Sequence, residues 1–268
     1  SIALYTYREG IRKKILIGFL ILSLLVIFGA SFMSTFLDQA TVGETETDIN
    51  LRFVKDLCVT AISVFGILIT IFISAMVVPI EIENKVIYTI LSEPVRRIQY
   101  LLGKFLGIQL IVIANLLLMG ALFVATLWIR QGVFPSLLLW SLLLTYFEFL
   151  IVSAFTFAIS CAASSAVLPT IGGLFIYFVG HLVQYLEGVA DRAERAGDAA
   201  STVIATIATG LRYVLPNLQH FSMRMQIIER PPNDPPADIM IPNLIQYGLL
   251  YAVCGFIMAY WIFRRKEL

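Results

Sequence analysis

Residues 79–104 read PIEIENKVIYTILSEPVRRIQYLLGK, a polar stretch between two long apolar runs. A chain that only reversed direction would need a few residues here. This stretch instead has apolar residues at helical spacing with charged residues around them, then a basic turn that contains Pro94. The pattern predicts about two turns of amphipathic helix, which either rests on lipid or contacts a soluble partner.

Composition places the chain in a membrane. Of its 268 residues, 59% are hydrophobic and 14% are charged, whereas soluble domains carry roughly a quarter charged residues. One soluble core could not bury this much apolar surface. The net charge of +1 argues against a general nucleic-acid binder. Cys58, Cys161 and Cys254 fall at different predicted depths, which argues against a disulfide.

Six apolar runs are long enough to cross a bilayer, which takes about 20 residues. We separate the fourth run from the fifth at Pro169, because a proline after small polar residues favours a turn. The sequence therefore predicts an all-α integral membrane protein with six transmembrane helices. The runs are residues 16–37, 57–78, 105–129, 137–161, 168–186 and 243–263.

Lysine and arginine near the ends of the runs predict the orientation. Basic residues cluster at 8–14, 85–104 and 264–266, and six crossings put all three groups on one side. That side is expected to be cytoplasmic, with both termini, whereas the acidic stretch 38–48 fits the outside. We thus expect a multi-pass protein of the cytoplasmic (inner) membrane, with a single membrane domain over residues 1–268 and an extracytoplasmic helical segment at 187–242.

The N-terminal residues 1–14 mix aromatic and basic side chains and predict a helix lying along the headgroups. Its expected contact residues are Tyr7, Arg8, Arg12 and Lys13. The alternative interpretation is a simple basic anchor that sets orientation.

The polar stretch resembles a known family. Glu81-x-Glu83-Asn84-Lys85-x-Ile87-x-x-Ile90-Leu91-Ser92-x-Pro94-Val95-x-Arg97-x-x-Tyr100-x-x-Gly103-Lys104 resembles the cytoplasmic loop of permease subunits in the ABC-2 transporter family. Arg8-Glu9 with Arg12-Lys13, and Leu215-Pro216-Asn217-Leu218-x-x-Phe221, are similar to members of the same family. The likeness covers the whole chain and is nearest to bacterial permeases of gliding-motility and nitrous-oxide-reductase maturation systems.

The resemblance implies that residues 79–104 form a coupling helix that docks into a separate ATPase subunit. The implied assembly has two ATPases and two permeases, as a C2 homodimer in the simplest case or with a similar, paired permease. Export is the implied direction, and an extracytoplasmic accessory protein is an open possibility. The docking residues would be Glu81, Glu83, Lys85, Ile87, Ile90, Leu91, Arg96 and Arg97.

ATP chemistry is expected outside this chain. It lacks the G-x-x-x-x-G-K-[ST] phosphate loop, since Gly103-Lys104 has neither the upstream glycine nor the following hydroxyl. No catalytic constellation stands out, so we expect no enzyme activity and no cofactor here, with ATP and Mg²⁺ bound by the ATPase. Two other functions stay open: an ATP-driven mechanotransmitter that acts on an extracytoplasmic partner without transport, and an ATP-independent carrier or intramembrane enzyme.

Glu148 is the one acidic residue clearly inside an apolar run. A charge at that depth costs a few kcal/mol and marks a functional candidate. It could bind a cationic substrate group, relay a proton or pair across a dimer. The alternative is a glutamate near one interface, or one protonated and hydrogen-bonded to a neighbour such as Thr145 or Asn115. His181 and Gln184, near the end of the fifth run, are expected to form a separate hydrogen-bonded pair.

A soft-ligand cluster follows in the extracytoplasmic segment. His220, Met223 and Met225 carry the imidazole and thioether groups that suit copper(I). Methionine in such a place is more often a packing residue, and we expect no metal.

Overall fold

The computed structural model describes residues 5–7, 14–40, 44–83, 97–132, 136–196, 210, 216–222, 227 and 241–265. A short 3-10 turn, Leu218–Phe221, precedes the last helix. The described part of the chain contains no strand, so the predicted all-α class is confirmed. The long helices are α1 (Lys14–Ala40), α2 (Glu44–Glu83), α3 (Arg97–Gln131), α4 (Ser136–Ala162), α5 (Val167–Ala196) and α6 (Ile241–Arg265).

Every predicted apolar run lies inside one of these helices, but the apolar lengths differ. Within the described residues, α1 and α5 have shorter apolar stretches, Ile17–Ala30 and Val167–Val183. Four helices are therefore long and apolar enough to cross a membrane within the described residues, and a crossing by α1 and by α5 stays a prediction. The four stretches long and apolar enough to cross a membrane are Leu51–Glu83, Arg97–Ile129, Leu137–Ala162 and Ile241–Arg265.

Helix α4 lies at the centre of the bundle. It packs against α2, α3, α5, α6 and the 3-10 turn. Its buried side chains, such as Phe149, Val152 and Phe157, point in different directions around the helix axis. A helix that is apolar on nearly all faces is typical of a protein interior or of a membrane span, so the sequence of α4 is compatible with this central position without predicting it.

Contacts along α4 give the directions of its neighbours. Phe147 and Ala154 of α4 lie against Gly248 and Gly255 of α6. Because both residue numbers rise together, α6 runs parallel to α4. The close approach at Gly255 is made possible by its missing side chain, since a Cβ there would lie 2.9 Å from the Ala154 Cβ.

Helices α3 and α5 run the opposite way. Gln109 of α3 bonds to Ser153, whereas Gly120 of α3, further along, meets the earlier Leu142. In α5, Gly172 meets Ile159, and the later His181 approaches the earlier Glu148. The bundle thus alternates in direction from α3 to α6, as the six-span prediction requires.

Two prolines lie near predicted helix boundaries. The boundary near Pro169 agrees with the structure, whereas the helix that contains Pro79 extends beyond its predicted run. The turn at residues 163–166 separates α4 from α5, as Pro169 predicted. Pro169 sits in the first turn of α5, where its missing N–H costs nothing. Pro79, in contrast, lies inside α2, which continues to Glu83. The second helix is therefore longer than the predicted run 57–78 at both ends.

Candidate functional site

The predicted docking residues fall on and around a segment that the structure does not describe. Lys85, Ile87, Ile90, Leu91 and Arg96 lie outside the described residues. Three others flank that segment: Glu81 and Glu83 in the last turn of α2, and Arg97 as the first residue of α3. We call the end of the bundle where α2 ends and α3 begins the loop end.

Glu81 and Glu83 stand in opposite environments. Glu83 is exposed, whereas Glu81 is only 3% exposed. The Glu81 carboxylate accepts hydrogen bonds from the Tyr100 hydroxyl and from the Lys104 ammonium group. The structure thus gives Glu81 two partners within its own chain, and its surface offers little to a docking protein. Its predicted docking role stays untested, as do those of Glu83 and Arg97.

Helix geometry explains how α3 supplies both partners. Tyr100 and Lys104 are four residues apart, so they lie on the same face of α3, and that face meets α2. The Lys104 side chain is 1% exposed. Burying two charges is costly unless they pair closely and their remaining donors find acceptors. We call Glu81, Tyr100 and Lys104 the inner cluster.

Two further chain segments reach the inner cluster. The Tyr5 ring lies 5.4 Å from the Lys104 Nζ, within range of a cation–π interaction. Phe263, near the end of α6, stacks on Tyr100 at a centroid distance of 5.7 Å. Arg97 also donates to the carbonyl oxygen of Arg264 at 3.1 Å. The N-terminal residues, α2, α3 and α6 therefore meet at the loop end.

The predicted interfacial helix lies mostly outside the described residues. Arg8, Arg12 and Lys13 are not described. Residues 5–7 are helical, with Tyr7 half-buried and Thr6 buried. The predicted headgroup contact of this segment stays a prediction.

Glu148 is buried between α4 and α5. It is 4% exposed, and its Oε1 lies 3.6 Å from the Nε2 of His181 on α5. The His181 ring packs on the Tyr177 ring at a centroid distance of 4.6 Å, and its Nδ1 bonds to the Tyr177 carbonyl oxygen at 3.2 Å. The polar partner of Glu148 is thus an imidazole from the next helix of the same chain.

Thr145 and Asn115, which were considered as hydrogen-bond partners of Glu148, bond to backbone carbonyl groups instead. The Thr145 hydroxyl donates to the Ser141 carbonyl, and the Asn115 amide donates to the Ile111 carbonyl, each one turn back along its own helix. Hydroxyls on helices often bond this way. The expectation that Thr145 or Asn115 bonds to Glu148 is therefore wrong, and His181 takes that place.

Residues 216–222 fold back onto the bundle near His181. Leu218 and Phe221 are buried, and Leu218 packs on Gly180, where a Cβ would lie 2.6 Å from its Cγ. The Asn217 backbone N–H donates to the Tyr247 hydroxyl at 2.9 Å. The described part of residues 187–242 that resembles the family is thus tied to α5 and α6.

The soft-ligand cluster can be placed only in part. His220 is exposed on the 3-10 turn, and Met223 and Met225 lie outside the described residues. Among the described residues, no group of three histidine, cysteine, aspartate or glutamate side chains could hold a metal ion. None of the three cysteines, all of which lie in the described part of the chain, forms a disulfide, and Cys58 and Cys161 are buried whereas Cys254 is exposed.

A family model described as "ABC-2 family transporter protein" matches the chain over residues 1–268. No curated protein matches it.

Proposed function

The chain belongs to the ABC-2 transporter family, and on that premise we propose that it is the transmembrane subunit that couples ATP hydrolysis by a separate ATPase to substrate export. The family supplies the membrane component of transporters. Residues 79–104 are the coupling segment in this proposal, and ATP with Mg²⁺ binds the partner ATPase.

The inner cluster is the observation that carries the proposal. Glu81 on one side of the segment 84–96 and Lys104 on the other are joined by a buried ion pair. A loop whose two bases are bonded together cannot move at one base alone. A force on the loop therefore reaches α2 and α3 together, and Phe263 and Arg264 extend the connection to α6.

The mechanism is a rigid-body movement. Closing of two ATPases displaces the loop, the inner cluster transmits the displacement, and α2 and α3 tilt as one unit. Both helices pack on α4, so the tilt changes the centre of the bundle. Two such chains, as a C2 homodimer in the simplest case, complete the transporter in the cytoplasmic (inner) membrane.

Crosslinking during purification tests the proposal. A photo-crosslinking residue replaces either Glu83, which is exposed, or Lys85. A control variant carries the same residue at Ile129, which is 83% exposed and lies near the opposite end of α3. We expect a soluble ATPase with a phosphate loop to copurify in stoichiometric amount and to crosslink at 83 and 85 but not at 129.

A chain that purifies alone, with no crosslink at 83 or 85, would overturn the proposal. A different outcome distinguishes the mechanotransmitter. An extracytoplasmic protein that crosslinks at Ser222 together with an ATPase that crosslinks at 83, in a complex that moves no substrate in vesicles, would replace export by mechanical work.

A further inference from the structure

The Glu148–His181 pair lies between α4 and α5 and is buried on the glutamate side. The carboxylate is 6% exposed and the imidazole is 29% exposed. The side chains on either side of Glu148 along α4 contact other helices. Phe147 faces Gly248 of α6, and Phe149 faces Gly66 of α2. A buried, unneutralised carboxylate would be costly here.

The hydrogen bond to Tyr177 fixes the role of each imidazole nitrogen. A backbone carbonyl can only accept, so we assign a proton to Nδ1, which donates to the Tyr177 oxygen. A neutral imidazole carries one proton, so its Nε2 then presents a lone pair to Glu148 Oε1. Without a further proton, an anionic oxygen and a nitrogen lone pair would face each other at 3.6 Å.

We propose that Glu148 and His181 form a binding site for one proton, which is held between Glu148 Oε1 and His181 Nε2. With the proton on the carboxyl group, a neutral acid faces a neutral imidazole. With the proton on Nε2, an imidazolium pairs with a carboxylate at 3.6 Å. Either form has no net charge, whereas loss of the proton leaves one negative charge facing a nitrogen lone pair and weakens the contact between α4 and α5.

Other titratable groups at this depth do not replace either member of the pair. Along α2 no acidic, basic or histidine residue lies between Asp56 and Glu81, and along α3 none lies between Lys104 and Arg130. His220, on the 3-10 turn that packs on α4 and α5, is exposed. The phenols and thiols on the packed helices are Tyr100, Tyr146, Tyr177, Tyr185, Tyr247, Tyr251, Tyr260, Cys58, Cys161 and Cys254. The charged residues of α5 itself, which are Glu187, Asp191, Arg192, Glu194 and Arg195, follow His181 toward the end of that helix.

Nitrogen NMR of labelled histidine tests the proposal directly, because the chain has only two histidines. The full chain is labelled with ¹⁵N-histidine in lipid nanodiscs, and the background variant His220→Gln leaves the signals of His181 alone. We expect a protonated Nδ1, with Nε2 either accepting a hydrogen bond or protonated, and an Nε2 signal that changes when alkaline pH removes the proton.

Matched variants separate proton binding from packing. Glu148→Gln keeps a donor toward Nε2 but has no titratable proton, so the alkaline change of the Nε2 signal should disappear. Glu83→Gln, which removes an exposed carboxylate, should leave it unchanged. Infrared spectra of the same samples should show a protonated-carboxyl or imidazolium band that Glu148→Gln removes. A neutral ring with its proton on Nε2, or an alkaline change that survives Glu148→Gln, would overturn the proposal.

Discussion

At the residue scale, the inner cluster explains why two glutamates two positions apart are expected to differ in their contribution to stability. Glu81 is buried against Lys104 and Tyr100, and Glu83 is exposed. In the sequence both belong to the same polar stretch. Removing one member of a buried ion pair leaves the other charge without compensation, whereas removing an exposed charge changes little.

We therefore predict that Glu81→Gln lowers the free energy of unfolding by about 3–5 kcal/mol, because Lys104 would stay buried without its counter-charge. The double variant Glu81→Gln with Lys104→Met should recover part of that loss, since both charges are then gone. Reversible unfolding in mixed micelles measures the wild type, the single variants Glu81→Gln and Lys104→Met, and the double variant. Glu83→Gln is the control, with an expected change within about 0.5 kcal/mol. Additive effects of the two single changes would contradict a direct pair.

The sequence did not reveal which side chains contact each other at the site. Glu148 is buried in α4, and its place inside the membrane stays a prediction. Its partner His181 was assigned instead to a pair with Gln184, because nearby residues on one helix are easy to connect. Lys104, Tyr100 and Phe263 were not predicted as partners of Glu81 or of each other, since helix packing alone brings such distant positions together.

At the element scale, periodicity located the helices but not all their ends. The second apolar run was predicted to end at residue 78, and Pro79, which removes one backbone hydrogen bond, follows it directly. Helix α2 nevertheless continues for a further turn, where Glu81 is fixed by the inner cluster. Tertiary contacts at the loop end thus override a local signal. Pro169, in the first turn of α5, marked its boundary correctly.

Contact between α4 and α6 gives a prediction at this scale. A Cβ at Gly255 would lie 3.1 Å from the carbonyl carbon of Ala154, and a backbone cannot move aside as a side-chain tip can. We predict that Gly255→Ala destabilises the protein by about 1–3 kcal/mol. Thermal unfolding in detergent measures the change.

The matched control is Gly29→Ala in α1, where a Cβ would meet nothing within 4 Å. Alanine favours a helix over glycine by up to about 1 kcal/mol, so this variant should be unchanged or slightly more stable. Equal stability of the two variants would mean that α6 does not approach α4 as closely as the structure has it.

At the scale of the whole molecule, the sequence predicted the composition of the bundle and not its arrangement. All six apolar runs are helical, and in four of these helices the described residues have the length and hydropathy that crossing a membrane takes. The central position of α4 could not be read from the sequence, since α4 is no more apolar than a lipid-facing helix would be. The alternation of directions was predicted only on the assumption that every run crosses.

The path of α1 supports that assumption. Tyr5 lies near Lys104 at the loop end, and α2 runs from Glu44 to Glu83, where it too reaches the loop end. Helix α1 ends at Ala40, close to the start of α2 in the sequence. It therefore traverses the bundle, although its apolar stretch within the described residues is short. In α5, the contacts from Gly172 to His181 follow α4 in the same way.

Cysteine labelling in intact cells decides whether these two helices cross the membrane. In a variant without Cys58, Cys161 and Cys254, single cysteines replace residues at the helix ends. If α1 and α5 cross, an impermeant maleimide should label Thr45→Cys and Ser222→Cys directly. It should label Tyr5→Cys and Ser164→Cys only after the cells are permeabilised. Glu83→Cys, at the end of the long apolar helix α2, is the internal reference. Direct labelling of Ser164→Cys would place the α4–α5 turn outside, and it would reduce the bundle to fewer crossings than its alternating directions require.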